Sequence, residues 1–339
     1  MNNDKKYEFN WPFFGNQHII DFLQTGISNN SLSHFYIFSG PRDLGKSTLA
    51  NFFSRSILCE NFNAKRGKLP CGECVNCRQK KHSDITVVEK EADKKNISIE
   101  QIREFIKMMN MGSFGNSYKI GIIREAENLS IEAANALLKT LEEPKNKVLI
   151  IALTSWLDKL PLTVKSRGQT LLFKPTSHAG IYDYLIKEHK ASRDFALKLS
   201  KISVGRPALA AKLFQEEELF KQRKQTAESL INVIRGDLNL KFKEIDSLLG
   251  AGKNTQEQRE NALFILEIWQ TIARDLLMIQ SGLSEFSING FSSSELNRLN
   301  LNSHGLIMLN DNIKKGRGYL AANVNPKLVL ENICLQITN

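Results

Sequence analysis

The chain has 339 residues, enough for two or three domains, each able to bury a core. Hydrophobic residues make up 42% and charged residues 24%, ordinary values for a folded domain that exclude the disordered and collagen-like classes. Lys and Arg total 46 against 36 Asp and Glu, a formal charge of +10 that suits a polyanion partner and equally a solvated basic surface. The longest apolar run, over 148–153, is far short of the roughly 18 residues of a membrane span. The first ten residues are polar and charged rather than a basic stretch leading into an apolar core, so a cytoplasmic protein with no membrane association is expected.

In chain order, Phe35-Tyr36-Ile37-Phe38 ends in Ser39-Gly40 and reads as a buried strand feeding a glycine-bounded loop. After Lys46, Leu49, Ala50, Phe52, Phe53 and Ile57 have helical spacing. Further short apolar runs at 85–88, 119–123 and 148–153 alternate with helical segments, the pattern of a parallel sheet covered on both faces. Ser98 with Gln101 forms a capping-box pattern ahead of Ile99, Ile102, Phe105 and Ile106, and a second helix runs from about Ser130 to before Pro144. From about Ser177 strand signals stop, and Leu185, Phe195, Leu199, Leu209, Leu213, Leu263, Leu266, Ile268, Leu276 and Leu277 recur at helical spacing. The predicted division is an α/β domain over 1–175, a small helical domain over 176–214 and an all-α domain over 215–339, with loops at 250–255 and 281–294.

Gly40-Pro-Arg-Asp-Leu-Gly45-Lys46-Ser47 fits G-x-x-x-x-G-K-[ST] between a strand and a helix. The glycines let backbone N–H groups wrap a phosphate, and the helix N-terminus adds its positive end. A purine nucleoside triphosphate is the expected ligand, ATP with magnesium being one candidate, held by Gly40, Gly45, Lys46, Ser47 and Thr48, with Lys46 on the β/γ-phosphates and Ser47 on Mg²⁺. Hydrolysis also needs an Asp at the end of a neighbouring strand, and the strand Ile120-Gly-Ile-Ile123 is followed by Arg124-Glu125. A guanidinium repels Mg²⁺, and Glu125 is left to orient a water or to pair with a base, so binding is better supported than turnover.

Five cysteines are an odd number, and four fall in one short stretch, which argues against a disulfide framework. Cys59 and the run Cys71-Gly-Glu-Cys74-Val-Asn-Cys77 can close a tetrahedral, structural zinc site, an insertion at about 59–82. An iron–sulfur cluster is the alternative, but it expects a Cys-Pro just downstream, where the chain reads Arg-Gln-Lys-Lys-His82; buried free thiols are a third reading. His82 is a reserve ligand, and Cys334, among Ile333, Leu335 and Ile337, reads as a core residue. Lys65, Arg66, Lys68, Arg78, Lys80 and Lys81 make the insertion basic, either toward nucleic acid or toward solvent.

Several stretches together resemble bacterial DNA polymerase III clamp-loader subunits. They are Ser33-His34 leading into the P-loop, the cysteine module, Asn135-Ala-Leu-Leu-Lys139-Thr-Leu-Glu-Glu-Pro144, Leu157-Asp-Lys-Leu-Pro161 leading to Ser166-Arg167, Gly205-Arg-Pro-Ala-Leu, and Asn325-Pro-Lys-Leu-Val-Leu-Glu. The resemblance implies an α/β P-loop NTPase (AAA+) domain with a zinc insertion, a helical lid and an all-α C-terminal collar. In that family five subunits form an open ring that uses ATP to place the sliding clamp on primer-template DNA.

Within the family, gamma/tau motors hydrolyse ATP and delta prime subunits generally do not. Arg124 in place of the motors' Asp, and Arg206 displaced from the usual lid arginine, point to the delta prime kind. Thr154 stands where the resemblance places a nucleotide sensor, and Arg167 where it places an arginine finger reaching a neighbour's ATP, with Gly168 in place of the usual Cys. The expectation is a delta prime-like member of a hetero-pentameric ring with gamma/tau and delta subunits, the sliding clamp and DNA as partners. A gamma/tau-like motor is the closest rival, followed by a zinc-containing P-loop small-molecule kinase and a structural nucleic-acid-binding zinc protein.

Overall fold

The structure is a computed structural model that describes residues 7–79, 82–91, 94–111, 113, 118–144, 147–250, 255–289 and 302–337. The chain forms two compact units, Met1–Gly180 with Gly205–Leu209, and Ile181–Val204 with Ala210–Asn339. The helices over 176–214 are thus divided between them. Lys80, Lys81 and parts of the expected loops at 250–255 and 281–294 lie outside the described residues.

The strands are β1 (Tyr7–Phe9), β2 (Phe35–Ser39), β3 (Gly67–Leu69), β4 (Ile85–Val88), β5 (Lys119–Ile123), β6 (Val148–Thr154) and β7 (Gln169–Leu172). Five of them form a wholly parallel sheet in the order β4-β5-β6-β2-β7, while β1 and β3 pair in parallel as a separate ribbon. The four apolar runs seen in the sequence are β2, β4, β5 and β6. Strand β7 was not predicted: it is an edge strand in which only Leu171 is buried, so it lacks a continuous apolar run. The ribbon strands, at three residues each, are equally below what periodicity detects.

In the first unit the helices are α1 (Gln17–Ser28), α2 (Lys46–Leu58), α3 (Glu60–Asn63), α4 (Val75–Arg78), α5 (Ile99–Asn110), α6 (Ile131–Glu142) and α7 (Leu162–Lys165). Successive residues of β2 point to opposite faces, and both faces are covered. Tyr36 and Phe38 pack in one core with Ile19, Leu23, Leu49 and Phe53. Phe35 and Ile37 pack in the other with Ile102, Phe105 and Leu137. Helix α5 starts in the capping box read from the sequence, with the Gln101 N–H on Ser98 Oγ at 3.4 Å and the Ser98 N–H on Gln101 Oε1 at 3.0 Å. Ser130 caps α6, and that helix ends at Glu142, ahead of Pro144.

From residue 178 onward the described residues form helices and short turns without a strand: α8 (His178–His189), α9 (Arg193–Ile202), α10 (Pro207–Gln215), α11 (Glu217–Arg235), α12 (Leu238–Leu249), α13 (Thr255–Gln280), α14 (Ser303–Ala321) and α15 (Pro326–Leu335). Helices α11–α15 share one core, with Trp269 and Leu266 of α13 packed among Leu230, Leu306, Ile313 and Leu330. Cys334 is buried in the same core, as its apolar neighbours suggest. The buried Lys241 ammonium donates to the carbonyls of Cys334 and Ile337, both at 3.2 Å, satisfying groups that the end of α15 leaves without helical partners. The buried Asp275 carboxylate accepts the N–H groups of Ile288 and Asn289 at 2.9 and 2.8 Å. No helix among the described residues is long and apolar enough to cross a membrane.

Close approach of α5 to β5 makes a sensitive position. A Cβ on Gly121 would lie 2.3 Å from the Phe105 ring and 2.8 Å from the Met109 sulfur, and Phe105 is itself buried. Gly121→Ala is expected to destabilise the first unit by about 1–3 kcal/mol through overpacking, read as a lowered urea midpoint for its transition.

Candidate functional site

Parallel strands bring all their C-terminal ends to one edge, and the P-loop lies at that edge between β2 and α2. Gly40 follows β2 with φ +147°, and its N–H donates to the Thr154 carbonyl at 3.2 Å. A Cβ there would lie 2.4 Å from the Phe173 carbonyl oxygen, so only glycine fits. Gly45, with φ +86°, precedes α2, and the Phe13 ring occupies the place where its Cβ would be. No side chain caps the first turn of α2 and no acid lies in it, so its N–H groups and dipole face the loop unopposed by a local carboxylate. Lys46, Ser47 and Thr48 form that turn.

The Lys46 ammonium is folded onto the loop, donating to the carbonyls of Gly40 and of Pro41, the latter at 2.7 Å. Burial lowers its pKa to about 8, Glu127 and Asp43 counteract part of that, and Arg42 adds to it. The backbone of the segment after Val204 is tied to the loop as well. The Ala208 N–H donates to the Asp43 carbonyl at 3.1 Å, and Gly205 accepts from the Thr176 N–H at 2.9 Å, which sets Arg206 between these two ties.

Residues at the end of β5 are arranged in ion pairs. Arg124, where the motif expects a metal-binding Asp, pairs with Glu89 at 2.9 Å. Glu125, with φ +47°, places one carboxylate oxygen 2.9 Å from Arg42 of the P-loop and the other 3.2 Å from Asn128 Nδ2. Arg42 occupies a variable position of the motif, and nothing in the sequence marked it. Thr154 is buried at the end of β6, its hydroxyl accepting from the Trp156 N–H at 3.1 Å. The next N–H, of Ser155, donates to the Glu127 carboxylate at 3.2 Å. Sequence reading passed over Ser155 and Glu127 because neither holds a fixed motif position.

Arg167 follows α7 and is held within its own chain. Its guanidinium pairs with Glu142 of α6 and donates to the Thr163 carbonyl and, at 3.4 Å, to Ser166 Oγ. Gly168 is required by packing: a Cβ would lie 2.7 Å from the Phe35 ring and 2.9 Å from Ile37.

The four cysteines converge, with all their sulfur atoms within 4.8 Å of one another. Cys59 closes α2, Cys74 caps α4, and Cys77 lies within α4. The N–H groups of Glu73 and Cys74 point at Cys71 Sγ at 3.4 and 3.3 Å, and the Cys71 N–H points at Cys59 Sγ at 3.5 Å. Burial raises the Cys59 thiol and pushes Cys77 up to about 11. Burial acts on Cys71 in the same sense but is outweighed by the N–H groups of Cys74 and Glu73, which bring it down to about 7. Around the cluster, Asn76 bonds the Leu58 carbonyl at 2.8 Å and Arg55 the Cys77 carbonyl at 3.3 Å. Among the described residues His82 lies outside the cluster, its Nδ1 accepting from the Asp84 N–H at 3.0 Å.

Residues 15–177 match the family described as DNA polymerase III, delta subunit. The tau subunit of DNA polymerase III from Bacillus subtilis is 38% identical over 161 residues, covering 47% of this chain and 28% of that protein. The tau/gamma subunit from Haemophilus influenzae is 34% identical over 197 residues, covering 56% and 28%. The chain therefore spans little more than a quarter of the length of these relatives. Among solved structures, a DNA polymerase III gamma subunit-related protein from Thermotoga maritima aligns with a TM-score of 0.48 at 18% identity, covering 93% of this chain and 98% of that one. Residues 15–177 are thus similar to a DNA polymerase III delta-subunit domain, in a chain that is also similar to proteins named tau and tau/gamma subunits.

Proposed function

We propose that the chain is a clamp-loader subunit of the delta prime kind, a member of a ring that places the sliding clamp on primer-template DNA. In this reading it binds ATP without turning it over and offers Arg167 to the ATP of a neighbouring gamma/tau subunit. The observation that carries it is the pairing at the end of β5: the metal-binding Asp is replaced by Arg124, and Glu125 is drawn onto Arg42. A carboxylate with both oxygens engaged is poorly placed to orient a water. The three-part layout of AAA+ domain, lid over 176–214 and collar over 215–339 belongs to the same proposal. A gamma/tau-like motor remains the second reading, favoured by the complete P-loop and by relatives named tau. The small-molecule kinase gains no support from the geometry or the similarities.

Arg167 fits the trans role through its chemistry, since a guanidinium neutralises charge developing on a γ-phosphate. To act so it exchanges Glu142 for the phosphate. ATPase assays of the isolated chain and of the chain with gamma/tau and delta subunits test the proposal. No turnover is expected from the isolated chain, and Arg167→Ala is expected to lower turnover at the adjoining gamma/tau site about 10³-fold or more, read as a partial loss of the assembled activity. Turnover by the isolated chain that depends on Lys46 supports the motor reading instead.

Nucleotide binding carries a pH signature. Lys46 is cationic below about 8 and loses its proton as pH rises through that value. ATP affinity, measured by equilibrium binding, is expected to be full at neutral pH and to fall above about 8, and Lys46→Ala is expected to remove both the binding and the pH dependence.

The cysteine cluster is proposed to hold one structural Zn²⁺. Four thiolates at a Zn–S distance of about 2.3 Å lie about 3.8 Å apart, within the 4.8 Å that bounds every separation in the cluster. Such spacing accommodates a single ion rather than a multi-iron core. With all four positions taken by sulfur, the ion would brace α2 against the loop and leave none for water. Metal analysis is expected to give one zinc per chain. Removal by a strong chelator is expected to lower the melting temperature, with recovery on adding zinc back.

A further inference from the structure

A P-loop of this form implies a nucleotide-bound Mg²⁺, a hard cation that takes oxygen ligands and is commonly anchored through one or two carboxylates besides the phosphates. The residues at the loop edge do not fit that ion. Ser47 offers a single hydroxyl, and the strand end that should supply a carboxylate supplies Arg124. Of the acids at the end of β5 and beside it, Glu89 is paired with Arg124, Glu125 with Arg42 and Asn128, and Glu127 with the Ser155 N–H, while Glu127 and Asp43 of the loop itself both act on the Lys46 ammonium. Meanwhile Arg42 and Lys46, both on the loop, supply positive charge where the phosphates would lie.

We propose that this P-loop takes a nucleoside triphosphate as the metal-free anion, with Arg42 and Lys46 providing the positive charge that Mg²⁺ provides elsewhere. The proposal rests on the nucleotide-binding reading above and adds the chemical form of the ligand. Binding is then an exchange of partners. Lys46 leaves the carbonyls of Gly40 and Pro41, Arg42 leaves Glu125, and both turn to phosphate oxygens. No bond is made or broken in the nucleotide.

The test is titration of the full chain with a fluorescent ATP analogue in excess Mg²⁺ and in excess EDTA, with Lys46→Ala as the control for binding at the loop. Affinities equal within about threefold in the two buffers are expected, and Arg42→Ala is expected to weaken binding about tenfold in EDTA. Arg124→Asp, a change at an exposed side chain that restores the carboxylate, is expected to gain a dependence on Mg²⁺ of about tenfold or more. Wild-type binding that Mg²⁺ tightens about tenfold or more overturns the proposal and leaves the nucleotide-binding reading standing. Absence of binding in both buffers overturns the two together. An Arg124→Asp variant that gains no Mg²⁺ dependence overturns the assignment of metal rejection to the end of β5.

Discussion

The contact on which the phosphate site depends is the one at Gly40, where β2 runs out between β6 and β7. Its N–H is held by the Thr154 carbonyl of β6, and the Phe173 carbonyl beyond β7 fills the space of a side chain. Strands on both sides of β2 therefore fix where the loop begins. Register carries that constraint through the sheet, since Ser39 pairs with Thr154 on one side and Leu172 on the other. Burial of both faces of β2 holds the register, because a slip by one residue would exchange Phe35 and Ile37 with Tyr36 and Phe38 between two differently shaped cores.

The sequence made legible those parts whose signal is local. Strands buried on both faces are near-continuous apolar runs, and the Ser98 and Ser130 caps mark their helices directly. The P-loop is a fixed spacing within eight residues, and the cysteine module brings together thiols only 18 residues apart at most. Strand β7 escaped because its edge position leaves only Leu171 buried. The pairings that give the site its charge distribution escaped for another reason. Arg42 meets Glu125 across 83 residues and Arg167 meets Glu142 across 25, and no periodicity or motif links such positions.

Those pairs matter for charge placement more than for stability. Arg42 and Glu125 are exposed at 65% and 41% of their side chains, and pairs of that kind contribute about 0–1 kcal/mol. Weak pairs can be exchanged for phosphate at little cost, whereas the buried pair of Lys119 with Asp84, at 3.1 Å, cannot. The arrangement separates a rigid scaffold, built from buried strands and the Lys119 pair, from an exchangeable set of surface cations at the loop edge.

The same strand also disciplines the arginine that the proposed function sends to a neighbour. Phe35, the first residue of β2, fills the space beside Gly168, so the turn that carries Arg167 packs directly on the strand whose far end opens the P-loop. Glycine at 168 and a large ring at 35 are complementary in volume. A side chain at 168 would have to displace a ring that is buried, and that displacement would move the start of the strand. Arg167, held on Glu142, and the phosphate loop therefore sit at opposite ends of one five-residue element. On the proposed reading, one strand therefore positions both groups of this chain that meet phosphate, its own P-loop at one end of β2 and the turn carrying Arg167 at the other.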